Sequence, residues 1–144
     1  MPALSNHKTI RKKAVAFVKK WGKEEQERSE SQSFWNAFFE VFGLDRKDVA
    51  VFERSVKGEK DTSTKFIDLF WEGKLLVEHK TKGQSLEKAG SQAFSYYNKL
   101  KPEEKPRYIL LSDFAKINLI DLEVNEDMSF IIEELPDKIN HFYF

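Results

Sequence analysis

The chain has 144 residues, with 24 Lys and Arg balanced by 24 Asp and Glu, and this length predicts one domain with one core. It contains no cysteine, which excludes a disulfide framework and a thiolate zinc site. No apolar run approaches the ~20 residues of a membrane span, and the start lacks the apolar core of a signal peptide, so we expect a soluble cytoplasmic protein.

The charges sum to zero but are distributed unevenly along the chain. The first 23 positions contain several basic residues and no acidic residue, whereas acidic residues are concentrated near the C-terminal end. Phosphate binding normally requires a basic excess, so the neutral total argues against a nucleic-acid partner. The distribution nevertheless leaves one basic end that can face phosphate.

Two helices are predicted at the start of the chain. Residues 1–23 form a basic amphipathic helix that ends at Gly22, with one apolar face made by Ile10, Ala14, Phe17, Val18 and Trp21. Residues 24–144 form the main domain. Its first helix carries six large apolar residues before Gly43, which is too many for one face and predicts burial on most sides.

The rest of the chain alternates strands and helices. Ser85 is the predicted N-cap of a helix that ends before Pro102, and a short helix over 135–140 closes the domain. Strands are predicted over 49–53, 64–71, 74–80, 108–112, 117–122 and 128–132, the second and third joined by a tight turn at Glu72-Gly73. This order predicts an α/β sandwich with a mixed sheet.

Three charged residues lie in strands that are otherwise almost wholly apolar: Asp68, Glu78 and Lys80. A buried carboxylate without a partner is costly, so such groups are normally paired or bound to metal. Two carboxylates can hold Mg²⁺ and a nearby lysine can act on a water, as phosphodiester hydrolysis requires. A structural ion pair within the sheet is the simpler alternative.

The parity of the hairpin decides whether the two carboxylates can meet. A two-residue loop at Glu72-Gly73 would pair Asp68 with Val77 and place it on the opposite face from Glu78. A three-residue loop, Trp71-Glu72-Gly73 with Gly73 in the left-handed conformation, returns Asp68 to the face of Glu78. A metal site therefore requires an odd loop or a bulge.

Asp68, a spacer of nine residues and Glu78-His79-Lys80 resemble the motif of the PD-(D/E)XK nuclease superfamily, with Ile67 in place of the proline. The resemblance implies a restriction-endonuclease-like αβββαβ sandwich, whose central mixed sheet is flanked by helices. It also implies that Asp68 and Glu78 bind Mg²⁺, for which Mn²⁺ can substitute. The His79 backbone carbonyl would be a third ligand, and Lys80 would assist the attacking water.

Further segments narrow the resemblance. Gln92 and Tyr96 are similar to the Gln-x3-Tyr element of RecB-like nucleases, which implies that they line the DNA side of the site. Segments 27–36, 66–71, 76–80 and 108–114 resemble the N-terminal region of MmeI-like restriction-modification enzymes. In those enzymes the nuclease precedes a methyltransferase and a target-recognition domain, so we expect both in the same parent chain or complex, with double-stranded DNA as the substrate.

Several alternatives stay open. Gln92 and Tyr96 are also residues that commonly occur at the boundary of a helix. Lys82 either contacts phosphate or is a solvated loop lysine. Glu30 is either a carboxylate near the metal or a solvated residue at the start of a helix. Strand parity turns the His79 side chain away from the metal. For the whole domain, the rivals to an endonuclease are a catalytically inactive nuclease-fold module and a solitary RecB-like exonuclease.

Overall fold

A computed structural model describes residues 7–22, 27–57, 64–80 and 85–144, with side chains described from Ser31 onward in the second range. Five α-helices and six strands lie in these ranges, together with single turns of 3-10 helix at Pro102–Glu104, Ile132–Glu134 and Ile139–Phe142. The helices are α1 His7–Trp21, α2 Glu27–Val41, α3 Arg46–Val49, α4 Leu86–Lys99 and α5 Leu135–Lys138. The strands are β1 Val51–Val56, β2 Lys65–Trp71, β3 Leu75–His79, β4 Tyr108–Ser112, β5 Lys116–Asp121 and β6 Glu126–Ile131.

The first helix presents the apolar face that its spacing predicts. Ile10, Ala14, Phe17 and Trp21 are buried against α2 and α5, whereas its lysines are exposed. Arg11 also binds Asp137 of α5 at 3.2 Å. The helix thus packs into the same core as the rest of the domain, and the division of the chain at residue 23 stays a prediction.

The aromatic helix α2 is buried on most sides, as expected. Its large apolar residues are all at most 3% exposed, and most of their rings meet edge to face, as aromatic quadrupoles favour: Phe34, Trp35, Phe38, Phe39, Val41 and Phe42. Gly43, with φ of +78°, ends the helix because the left-handed conformation suits glycine. In the described ranges the longest helices have 15 residues, and none of those helices could cross a membrane.

One predicted strand begins too early. Residues 46–49 form the short helix α3, in which the Asp45 carboxylate accepts a hydrogen bond from the Lys47 backbone N–H at 3.1 Å. Strand β1 begins only at Val51. An N-cap at Asp45 therefore overrides the β-branched character of Val49.

The six strands form one mixed sheet in sequence order, β1 to β6. Only β3 and β4 pair in parallel, and α4 makes the crossover between them. Leu75 and Val77 of β3 pack with the aromatic residues of α2, whereas Leu76 packs with Ala89 and Ala93 of α4. The predicted α/β sandwich, with a mixed sheet between helices, is confirmed.

Candidate active site

The β2–β3 hairpin has the odd loop that a metal site requires. Trp71 pairs with Leu75, so the loop is Glu72-Gly73-Lys74, and Gly73 has φ of +77°. The loop has the predicted length and left-handed glycine, but it lies one residue later than predicted. The same register, Leu69 opposite Val77, places Asp68 opposite Glu78 and therefore on the same face of the sheet.

Asp68 and Glu78 are joined by reciprocal contacts across the hairpin. The Asp68 backbone N–H donates to Glu78 Oε1 at 3.2 Å, and the His79 backbone N–H donates to Asp68 Oδ2 at 2.8 Å. Glu78 is only 2% exposed and Asp68 is partly buried. The hairpin thus holds two carboxyl groups together at a point where water has little access.

This burial raises the pKa of both groups. Desolvation, and then the charge of Asp68, raise the pKa of Glu78 to about 9. Desolvation also raises the pKa of Asp68, to which the nearby Glu53 adds a smaller effect. Two adjacent acids of this kind favour a shared proton, or a cation that takes its place.

Lys80 lies just beyond the end of β3, on the side of the sheet that α4 covers. Its backbone N–H donates to the Ser112 carbonyl at 2.8 Å, which extends the pairing with β4 by one residue. Its ammonium donates to Gln92 Oε1 at 2.5 Å, and Gln92 Nε2 donates to the Tyr96 hydroxyl at 2.6 Å. The structure therefore brings Lys80, Gln92 and Tyr96 together beside the carboxyl pair.

The His79 side chain points to the opposite face, as strand parity predicts. Its ring contacts Phe114 at a centroid distance of 4.4 Å, and Trp35 Nε1 donates to His79 Nδ1 at 3.2 Å. The imidazole is therefore part of the aromatic core under α2 and does not join the carboxyl pair. Only the backbone of His79 lies at the site.

Glu53 is the site residue that the sequence pattern does not reveal. In the β1–β2 register Phe52 pairs with Leu69 and Arg54 with Ile67, so Glu53 lies opposite Asp68. Its φ of +53° is in the left-handed region, which is rare for a glutamate. The nearest signal in the sequence is its place in the predicted strand 49–53, which does not encode this conformation.

The backbone around Glu53 and Asp68 is kinked in both strands. Ile67 packs on the α4 side and Leu69 on the α2 side, although residues two apart in a regular strand share a face. Arg54 likewise lies over Phe70 on the α4 side, whereas Phe52 packs toward α2. The two strands therefore change faces together, at the position of the carboxyl pair.

Lys82 falls outside the described residues, and the side chain of Glu30 does as well. Within the described ranges no three His, Cys, Asp or Glu side chains come together as a group that could hold a metal ion. An ion at Asp68 and Glu78 would therefore need main-chain oxygen or water as further ligands, and hard oxygen donors of this kind suit Mg²⁺.

Comparison with known families decides the assignment of the chain. The model of the family described as "MmeI, N-terminal domain" matches residues 12–144. The chain belongs to this family. The match confirms the resemblance found in the motifs and extends it into α1, which those motifs did not reach. A search of curated proteins finds no match.

A chain in the cryo-electron microscopy structure of a DrdV–DNA complex has the same fold as this chain. The TM-score is 0.55 at 13% sequence identity, over 96% of this chain and 13% of that chain. The domain thus spans about an eighth of its structural neighbour's length. Family membership makes it a module related to restriction-modification enzymes, and the likeness to this neighbour shows the fold.

Proposed function

We propose that this domain is a Mg²⁺-dependent DNA endonuclease, the cleavage module of a restriction-modification enzyme. The observation that carries the proposal is the buried pair of Asp68 and Glu78 on one face of the hairpin, with Lys80 beside it. A sheet that needs only a stable core has no physical use for two adjacent acids at low exposure. An ion that replaces their shared proton removes that cost.

The donors fit a hard divalent ion. Asp68 and Glu78 would hold it, with the His79 backbone carbonyl as a third ligand, and Mn²⁺ would substitute for Mg²⁺. When bound, such an ion lowers the pKa of a water and neutralises charge on a phosphate. Lys80 supplies a fixed positive charge that orients the attacking water and stabilises the developing negative charge.

Double-stranded DNA is the proposed substrate. The structural neighbour is described as a DNA complex, and the basic outer face of α1 offers phosphate contacts. The described part of the domain offers a cleavage site but no evident groove-reading helix. Sequence specificity is therefore assigned to a target-recognition domain, and methylation to a methyltransferase domain, in the same parent chain or complex.

The test combines Mn²⁺ titration calorimetry with a supercoiled-DNA cleavage assay, in a form of the protein that cuts DNA before mutation. Asp68→Asn and Glu78→Gln should each lower Mn²⁺ affinity by more than about tenfold, because each removes a ligand. Lys80→Ala should lower kcat about 100-fold or more while Mn²⁺ affinity changes by less than about threefold. Glu126→Gln and Lys116→Ala, at exposed positions of β6 and β5, are the matched controls.

Two outcomes would contradict the proposal. If the unmutated protein binds no Mn²⁺ and cuts no DNA in the presence of its partner domains, the domain is an inactive scaffold of nuclease fold. If it degrades end-labelled linear DNA but leaves closed-circular DNA intact, it is an exonuclease.

A further inference from the structure

A chain of hydrogen bonds links Lys80 to the core under α4. The lysine ammonium can only donate, so the Gln92 carbonyl oxygen must face it, and the Gln92 amide nitrogen must then face Tyr96. Each end of the Gln92 amide is thus occupied by a partner within the protein. The expectation that Gln92 and Tyr96 line the DNA side of the site stays a prediction.

Tyr96 is the fixed end of this chain. Its side chain is only 4% exposed, in the core cluster that contains Ala89, Ala93 and Leu100 of the same segment. A tyrosine packed this closely has few rotamers, so its hydroxyl stays in one place. Gln92 lies one turn earlier on α4 and is held by the Tyr96 hydroxyl, so it in turn fixes the position of the Lys80 ammonium.

The lysine is held by a neutral group although two acids lie near it. The described residues show no ion pair between Lys80 and Asp68 or Glu78, while Nζ is 2.5 Å from Gln92 Oε1. A free lysine on the same face as Glu78 would be drawn onto the carboxylates and would occupy the position of a divalent ion. The amide prevents this without cancelling the lysine charge.

We propose that Gln92 and Tyr96 are positioning residues, which hold the Lys80 ammonium toward α4 and keep Asp68 and Glu78 available for a cation. This proposal rests on the proposed nuclease function, because holding the lysine away from the two carboxylates is useful only at a site that binds a cation and cleaves DNA. Gln92 acts directly on Lys80, and Tyr96 acts through Gln92. Neither needs to contact DNA for this role.

The direct test observes the lysine itself. Lysine ammonium protons that are hydrogen-bonded and shielded exchange slowly enough to give separate ¹H–¹⁵N signals in cold, mildly acidic solution. The Lys80 signal is assigned by its loss in Lys80→Arg. We expect it to be visible in the parent protein, lost in Gln92→Met, weakened in Tyr96→Phe and retained in Gln92→Glu, which keeps an acceptor of the same length.

Metal binding and cleavage provide two further measurements. In Gln92→Met the freed lysine should pair with the carboxylates, so Mn²⁺ affinity should fall by about three- to tenfold and kcat by about tenfold or more. Tyr96→Phe should cause about a third of these effects, because Gln92 keeps its bond to Lys80. Gln92→Glu should hold the lysine in place but restore only part of kcat relative to Gln92→Met, because its carboxylate offsets the lysine charge.

Tyr97→Phe and Asn98→Met are the matched controls. Both lie on α4 and repeat the chemical changes at positions that do not contact Lys80: Tyr97 faces Lys105 and Asn98 is exposed. Neither should alter the Lys80 signal, Mn²⁺ affinity or kcat. Equal loss of the signal in Asn98→Met would show that α4 is merely destabilised and would overturn the proposal.

The remaining outcomes separate this proposal from the nuclease function. If Gln92→Met keeps the Lys80 signal and instead weakens DNA binding, the DNA-facing interpretation is right and the positioning role is wrong. If the parent protein binds Mn²⁺ and cuts DNA but its Lys80 signal does not depend on Gln92, only the positioning role fails. If the signal depends on Gln92 but no form binds metal or cuts, the nuclease function fails and the bond is structural.

Discussion

The two faces of strand β3 carry different kinds of chemistry within five residues. On the α2 side, Val77 and the His79 ring are enclosed by aromatic side chains, of which Trp35 donates a hydrogen bond to that ring. On the α4 side, the Glu78 carboxyl group accepts a hydrogen bond from the Asp68 backbone, and Lys80 begins a chain of hydrogen bonds to Gln92 and Tyr96. Because side chains alternate along a strand, one short segment can contribute to the packed core on one face of the sheet and to the candidate site on the other face.

The aromatic packing on the α2 side of the sheet stabilises the fold against the cost of the carboxyl pair on the other side. Burial of two adjacent acids raises the free energy of the folded state, and the closely packed α2 side must offset that cost. We expect substitutions on the α2 side to lower stability and substitutions at the carboxyl pair to raise it.

The largest effect is expected at Phe34. This residue is fully buried and lies 4.9–5.1 Å, between ring centroids, from Phe17, Trp35 and Phe114. Phe34→Ala should lower the free energy of unfolding by about 3–5 kcal/mol, as measured by urea denaturation. Phe94→Ala on α4, where the ring is 39% exposed, is the control and should cost less than about 1 kcal/mol. Equal costs would show that the α2 side is not the main source of stability.

A smaller effect of opposite sign is expected at Glu78. Its pKa in the folded protein is raised from 4.5 to about 9, so the folded state binds a proton more tightly than the unfolded state. The resulting stability is fully present below pH 4.5 and is lost as the pH rises toward about 9. Between pH 5 and pH 8, thermal and urea unfolding should show a loss of about 1–3 kcal/mol.

Glu78→Gln should remove most of this pH dependence, because the amide does not ionise. At pH 8 the variant should therefore unfold at a higher temperature than the parent protein. Mn²⁺ should stabilise the parent more than the variant at that pH. Glu126→Gln, at an exposed position, should keep the parent's pH dependence. A parent protein whose stability is constant from pH 5 to pH 8 would contradict the buried carboxyl pair.

The smallest effect is expected at Glu53. A non-glycine residue with φ of +53° stores strain, and the Glu53 charge also raises the pKa of Asp68. Glu53→Gly should raise the free energy of unfolding by roughly 1 kcal/mol, since it relieves both costs. Glu53→Ala removes the charge but keeps the strained backbone, so its free energy of unfolding should rise by less. If the free energy of unfolding rises equally in the two variants, the charge is the dominant cost and the backbone conformation contributes little.

The sequence predicts the carboxyl pair well because strand parity and glycine geometry allow few solutions. Once Asp68 and Glu78 have to share a face, an odd loop with a left-handed Gly73 follows. The exact register does not follow, because a loop beginning at Trp71 and one beginning at Glu72 have the same parity. Pairing of the Trp71 and Leu75 backbones decides between them.

Other features depend on contacts that a local pattern does not contain. The short helix α3 is held by the Asp45 cap, although Val49 is typical of a strand. The left-handed conformation of Glu53 is imposed by the kink that it shares with Asp68. The bond from Lys80 to Gln92 depends on how α4 docks on β3, which helical periodicity does not specify.

The parallel pairing of β3 and β4 has a consequence for the order of folding. The β2–β3 hairpin closes a three-residue loop and needs no other element, whereas β4 reaches β3 only after the chain has made its crossover through α4. Local hairpins form in about 1–10 μs, well before pairings that need a long connection. We therefore expect Asp68 and Glu78 to meet first in a hairpin that is still in contact with water, where both can ionise. The docking of α4 would then remove the water and bring Gln92 to Lys80.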